Sequence, residues 1–158
     1  MKKFNLENLG IMIDCSRNAV MSIEGMKKYL PLIAKMGYNC LFLYTEDTYE
    51  VDGEPYFGYL RGRYSKDELR DVVSYCNSIG IEVIPCIQTL AHLNQIFMWD
   101  EYKKIQDVDD ILLVDDEATY TFIETMMRTL KKTLRTNRIF TGTDEAPQMI
   151  EGKYYDIH

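Results

Sequence analysis

The chain has no long hydrophobic run and no excess of basic residues. None of its 158 residues lies in a stretch that approaches the roughly 18 apolar residues needed for a membrane-spanning helix. Lys2 and Lys3 are not followed by the apolar core of a signal peptide. The formal net charge is −7, whereas proteins that bind nucleic acids carry basic patches. We therefore expect a cytoplasmic protein whose partners include neither a membrane nor a nucleic acid.

The chain also lacks a Cys-x-x-Cys motif, which would indicate a zinc or redox site. Its four cysteines are scattered along the sequence and lie in apolar segments that predict strands or helices: Cys15, Cys40, Cys76 and Cys86. Free cysteines behave as small hydrophobic residues, and cytoplasmic thiols stay reduced. We expect all four to be reduced core residues.

Short apolar runs alternate along the chain with segments of helical periodicity. The pattern predicts strands at 10–15, 39–44, 81–87 and 138–143, and helices at 22–36, at 65–79 and from about 116. Pro85 is expected to mark the end of the third strand, because proline cannot donate a ladder hydrogen bond. Alternation of this kind indicates a single α/β domain over residues 1–158 with a parallel sheet. Both a small doubly wound sheet and half of a (β/α)8 barrel fit, since a full barrel needs about 250 residues.

Each predicted strand delivers polar residues at its carboxyl end. These residues are Asp14 and Arg17, Glu46 and Asp47, Gln88 and His92, and Asp144 and Glu145. In parallel α/β proteins such ends gather at one edge of the sheet, where ligands bind. The acids at 107–110 are interpreted as surface residues, and Asp116 as a helix N-cap. Trp99 and the tyrosines of the 56–64 loop fit equally well with stacking on a sugar or covering an edge of the core.

Together these segments resemble the catalytic barrel of family 20 glycoside hydrolases, the β-N-acetylhexosaminidases. The matching segments are IDCSR at 13–17, LYTED at 43–47, the strand at 81–85 with its histidine at 92, and GTDE at 142–145. The resemblance spans about residues 10–146 and covers only the first half of the family's barrel. It implies a partial (half) TIM barrel made of parallel β/α units, with about four strands and three or more helices.

The resemblance also implies roles for the residues at the strand ends. Glu145 corresponds to the general acid and base, and Asp144 to the residue that orients the 2-acetamido group of an N-acetyl-β-D-glucosaminide. His92 and Asp47 would form a relay toward Glu145, and Arg17 would clamp the sugar hydroxyls. Further expected substrate-binding residues are Asp14, Glu46 and Trp99. The family's substrate-assisted hydrolysis implies no metal and no cofactor.

The sequence departs from the family pattern at several points. Phe140 stands where the family often has histidine, and Leu90-Ala91 replaces a Pro-Gly pair. Strands 5–8 have no counterpart, so a half barrel would expose sheet edges. We therefore expect either a fragment of a longer enzyme or a homo-oligomer whose copies cover these edges.

Two other functions remain open from the sequence. One is a metal-dependent α/β enzyme, with an oxygen-rich site for Mg²⁺ or Mn²⁺ formed by Glu46, Asp47, His92, Asp144 and Glu145. The other is a non-catalytic sugar-binding module that keeps the pocket residues.

Overall fold

A computed structural model describes residues 6–149 and 151–157 of the protein. The strands are β1 (Gly10–Asp14), β2 (Cys40–Thr45), β3 (Glu82–Gln88) and β4 (Phe140–Gly142). The helices are α1 (Ile23–Lys35), α2 (Lys66–Ser78), α3 (Glu117–Leu134) and α4 (Lys153–Ile157), with short 3-10 helices at Ile96–Met98 and Asp100–Ile105. Among these described residues, no helix is both long enough and apolar enough to cross a lipid bilayer.

The four strands form one parallel sheet in the order β1-β2-β3-β4. Each strand therefore pairs with the next one in sequence, as in a (β/α)8 barrel. In a doubly wound sheet the strand order reverses at a switch point, and the four described strands show no such reversal. The predicted half barrel is thus confirmed over the doubly wound alternative.

The helices begin where the sequence provides capping side chains. The Ser22 hydroxyl accepts a hydrogen bond from the Gly25 amide at the start of α1. Ser65 and Glu68 form a capping box at the start of α2, and Asp116 caps α3. Such caps satisfy amides that have no partner inside the helix. The apolar stripes of the three helices then pack against one side of the sheet.

The two faces of the sheet have different surroundings. Odd-numbered strand residues such as Leu41 and Ile87 are fully buried in the core beneath the helices. Even-numbered residues point to the opposite face, because side chains alternate along a strand. Met12 and Phe140 lie on that face and are 51% and 52% exposed. This is the face that would line the inside of a complete barrel.

Pro85 does not end the third strand, contrary to the sequence prediction. It lies inside β3 and pairs in register with Leu43. The Glu82 amide donates to the Asn39 carbonyl on the β2 side, and the Thr89 amide donates to the Gly142 carbonyl of β4. Because the bonding direction alternates along a strand, the amide nitrogens of odd-numbered β3 residues point toward β4. On that side no strand residue pairs with Pro85, because β4 begins only at Phe140, the partner of Cys86. The missing N–H of Pro85 therefore costs no ladder hydrogen bond. The fourth strand is also shorter than the predicted 138–143.

The long segment after β2 is packed into the protein. Tyr49 and Phe57 are fully buried and meet edge to face at 5.1 Å between ring centroids. Tyr64 pairs with Tyr49 through an isolated parallel bridge. All four cysteines are free and buried, as predicted. The surface assignment of the 107–110 acids is wrong for Asp107, which is 8% exposed and accepts a hydrogen bond from the Tyr154 amide.

Candidate active site

Arg17 joins the ends of the first two strands. Its guanidinium lies 2.6 Å from Asp14 Oδ2 and 3.5 Å from Glu46 Oε1. It also lies 5.4 Å from the centroid of the Tyr44 ring. Burial raises the pKa of Asp14, but hydrogen bonds from Ser16 and Arg17 outweigh that effect and keep it below its ordinary value. The Arg17 side chain is 57% exposed, so its fork of N–H donors can also reach a ligand.

A chain of hydrogen bonds runs across the strand ends from Glu46 to Asp144. The Tyr44 hydroxyl lies 3.3 Å from Glu46 Oε1. Gln88 Nε2 lies 2.9 Å from that hydroxyl and 3.3 Å from Asp144 Oδ1. Burial raises the pKa of Glu46, and the charges of Arg17 and His92 oppose the rise. The four strand ends thus share one connected polar network.

His92 lies beside both acids that follow β4. Its Nε2 atom is 3.3 Å from Glu145 Oε2 and 3.9 Å from Asp144 Oδ2. The Asp110 carboxylate accepts a 2.9 Å hydrogen bond from the His92 amide. The pKa of Asp144 is lowered by hydrogen bonds from its own backbone amide and from Gln88; burial opposes this to a smaller extent, and the charge of His92 adds a smaller lowering. The adjacent acids therefore share one histidine.

The expected relay between His92 and Asp47 is not formed in this structure. Asp47 is only 1% exposed, and its Oδ1 atom accepts a hydrogen bond from Arg61 Nε at 3.2 Å. Arg61 also donates to the Ser16 carbonyl at 2.9 Å. Burial raises the pKa of Asp47, and Arg61 opposes the rise. Glu46, the preceding residue, is the acid of this pair on which the charge of His92 acts.

Trp99 lies in an aromatic cluster formed by the loops. Its ring stacks on Tyr56 at 5.2 Å between centroids and meets the edge of Tyr59 at 5.4 Å. Both ring contacts found for Trp99 among the described residues are with these tyrosines. The structure therefore shows a tryptophan that covers the 56–64 loop, and its expected contact with a sugar stays a prediction.

Two open cavities flank the acids that follow β4. A groove of about 400 Å³ on the open face of the sheet is lined by Tyr44, Gln88 and Asp144, among others. A second space of about 750 Å³ is lined by His92 and Glu145. The Glu145 side chain is 76% exposed, whereas a general acid works best in an enclosed site. Within residues 6–149 and 151–157, no group of three or more His, Cys, Asp or Glu side chains is arranged to hold a metal ion.

Three residues of the site were not identified as such from the sequence. Arg61 has no signal in the sequence, because the burial of Asp47, which calls for a cation, is itself visible only in the structure. Asp110 was interpreted as a surface acid, yet it holds the His92 backbone. Tyr44 belongs to a predicted strand and to the LYTED segment, but the sequence gives no sign that its hydroxyl bridges two strand ends.

Comparison with known proteins gives one consistent result. The family profile "Glycosyl hydrolase family 20, catalytic domain" matches residues 8–153. A β-hexosaminidase of Akkermansia muciniphila is 29% identical over 101 residues, which cover 52% of this chain and 20% of that protein. A β-hexosaminidase of Emericella nidulans is 35% identical over 91 residues, covering 52% of this chain and 15% of that protein. This chain therefore spans at most about a fifth of these curated relatives.

Solved structures match over most of the chain. One β-N-acetylhexosaminidase superposes with a TM-score of 0.82 at 20% identity, over 96% of this chain and 39% of that chain. A β-N-acetylhexosaminidase from Streptomyces coelicolor A3(2) superposes with a TM-score of 0.77 at 24% identity, over 87% of this chain and 33% of that chain. At these identities the likeness establishes the fold alone.

Proposed function

Because the chain belongs to glycosyl hydrolase family 20, we propose that it hydrolyses terminal N-acetyl-β-D-glucosaminides once its barrel is complete. In this proposal residues 1–158 form a single domain, the N-terminal half of the catalytic barrel. The observation that carries the proposal is the contact of His92 with both Asp144 and Glu145 at the end of β4. Adjacent acids that share one histidine suit a reaction in which one carboxyl transfers a proton and the other stays charged.

The chemistry is substrate-assisted and retains the anomeric configuration. The oxygen of the 2-acetamido group attacks the anomeric carbon while Glu145 protonates the leaving glycosidic oxygen. The C–O bond to the leaving group breaks, and an oxazolinium ion remains. Glu145 then takes a proton from the water that opens this ion, which regenerates the acid. Family 20 enzymes use this variant in place of an enzyme nucleophile.

The other residues at the strand ends support this step. Asp144 accepts a hydrogen bond from the acetamido N–H and stabilises the positive charge that develops on the ring. His92, at 3.3 Å from Glu145, balances the charge on Glu145 as its proton leaves and returns. Arg17 binds the sugar hydroxyls, with Asp14 and Glu46 holding its guanidinium in place.

A working site needs cover over the open face of the sheet. Met12 and Phe140 are exposed there, and the outer edges of β1 and β4 have no partner strand among the described residues. We propose that a second copy of the chain, or further β/α units, supplies this cover. A cytoplasmic location is part of the proposal and is supported by the four unpaired cysteines.

Hydrolysis of a chromogenic N-acetyl-β-D-glucosaminide tests the proposal. Glu145→Gln and Asp144→Asn should each lower kcat/KM by roughly 10²–10⁴-fold, the usual contribution of an acid–base residue. Glu24→Gln is the matched control, since this exposed glutamate lies on α1 and pairs there with Lys28. Variants that keep parental activity would contradict the assigned roles.

Two further measurements separate the alternative functions. Loss of turnover with a chelator would favour a metal-dependent enzyme, because the family 20 reaction uses no metal. Binding of an N-acetylglucosamine-derived thiazoline without turnover would favour a sugar-binding module. If the parent chain is inactive, the same assay on a chain extended by four β/α units decides the function.

A further inference from the structure

Gln88 occupies a position at the end of β3 that requires a glycine opposite it. It is 1% exposed and pairs in register with Gly142 of β4. A Cβ atom added at Gly142 would lie 2.3 Å from Gln88 Oε1 and 2.7 Å from Nε2. Real Cβ atoms do not approach so closely, so Gly142 makes room for the Gln88 amide. The glycine before Asp144 and Glu145 thus has a packing role toward this glutamine.

The direction of the hydrogen bonds around Gln88 is set by the two carboxylates, Glu46 and Asp144, at the ends of this series of hydrogen bonds. An ionised carboxylate can only accept hydrogen bonds. The single proton of the Tyr44 hydroxyl points to Glu46, so its oxygen is left to accept from Gln88. The Gln88 NH2 group must therefore face Tyr44, and its second proton is directed at Asp144 Oδ1.

Gln88 retains this arrangement at a cost. Its Oε1 atom is buried and has no hydrogen-bonding partner among the described residues. A buried polar atom without a partner costs about 1–3 kcal/mol. Methionine would fill a similar volume without that cost, so stability alone does not account for an amide at this position. The two N–H donors are the property that methionine lacks.

We propose that Gln88 is a positioning residue that orients the Asp144 carboxylate through the Nε2 hydrogen bond, which also favours its charged form. This rests on the proposed function, in which Asp144 must be charged to stabilise the oxazolinium ion. The bond holds Oδ1, so Oδ2 is left toward His92 and the substrate. Such a restraint matters because the Asp144 side chain is 64% exposed. Tyr44 contributes indirectly, because its hydroxyl fixes the orientation of the Gln88 amide.

The test follows the titration of the Asp144 carboxyl carbon by ¹³C NMR between pH 7 and 3, with the signal assigned through Asp144→Asn. Gln88→Met removes both donors at nearly constant volume, and Gln88→Glu replaces them with an acceptor. Because a donor to a carboxylate favours the charged form, both variants should raise the Asp144 pKa, by roughly half to one unit for methionine and more for glutamate. Gly142→Ala, which displaces the amide, should shift it in the same direction. Gln106→Met, which removes a hydrogen bond to the Asp109 carbonyl in a loop, should leave it unchanged.

An Asp144 that titrates at the parental pH in the folded Gln88 variants would overturn the proposal. If Gln88→Met does not fold, Gly142→Ala carries the titration, because it displaces the Gln88 amide without adding a charge beside Asp144. The measurement needs no turnover, so an inactive parent chain counts against the proposed function and not against the role of Gln88. In an active chain, Gln88→Met should also lower kcat more than it changes KM, with the acidic limb of the pH profile moved to higher pH.

Discussion

Arg61 offers the sharpest test of how the long loop after β2 is held on the sheet. Its Nε atom pairs with Asp47, whose carboxylate is almost completely buried, and its NH2 group donates to the Ser16 carbonyl. Arg61→Met keeps most of the apolar stem but removes the charge. Breaking a buried pair by deleting one partner costs about 3–5 kcal/mol. Because the Arg61 side chain is 30% exposed, water can partly replace it, and we expect a loss of about 2–3 kcal/mol near pH 8.

The loss should depend on pH in a defined direction. Burial already raises the pKa of Asp47, and Arg61 opposes that rise. Without Arg61 the folded-state pKa rises further, while the unfolded value stays near 3.9. Between these two values the folded state binds more protons than the unfolded state, so stability falls as pH rises through this window. The variant should therefore be closer to the parent at pH 5 than at pH 8.

Urea unfolding at pH 5 and pH 8, followed by circular dichroism and by the fluorescence of the single tryptophan, measures both effects. Arg70→Met is the matched control, because its pair with Asp67 is exposed and worth about 0–1 kcal/mol. Adding Asp47→Asn to the Arg61→Met chain should abolish the pH dependence of the difference. The reasoning is refuted if Arg61→Met costs no more than Arg70→Met, or if its cost is equal at both pH values.

Two further predictions concern the thiols and the open face of the sheet. Burial raises the pKa of the Cys15 and Cys86 thiols to about 11. A thiol reagent at pH 8 should therefore label them slowly in the native chain and quickly in urea. Fast labelling of the native chain would contradict their burial. If a second copy covers the open face, Phe140→Asp should convert the dimer to a monomer in sedimentation experiments, while Leu32→Asp, equally exposed on α1, should not. A parent chain that sediments as a monomer would exclude the homo-oligomer.

The local structure follows from signals that are close together in the sequence. Ser65 and Glu68 lie three residues apart and close a capping box, and the apolar stripe of α2 repeats at helical spacing. The order of the strands has no such local signal, since β/α alternation fits both a barrel and a doubly wound sheet. The place of Pro85 could not be derived either, because it depends on where the neighbouring strand begins.

The site was predictable in location but not in its pairings. Parallel strands bring their carboxyl ends together, which places Arg17, Glu46, His92 and Asp144 at one edge. Glu46 and Asp47 are adjacent and lie just after β2, where the chain bends. A shift of one residue therefore decides which acid faces the site and which is buried. Arg61 pairs with Asp47, the buried acid of the two. Arg61 lies 14 residues later in an irregular loop, whose path no periodicity predicts.

The backbone at the site carries strain that the sequence does not reveal. His92 and Glu145 both have positive φ angles, 60° and 54°, which side chains other than glycine adopt at some cost. Among the described residues, five other non-glycine residues share this conformation. The Nε2 atom of His92 lies 3.3 Å from the Oε2 atom of Glu145. Glycine at either position would relieve the strain and remove the contact. The described half of the barrel thus holds the proposed acid within 3.3 Å of its histidine, and we expect the proposed cover to enclose Glu145 in this orientation.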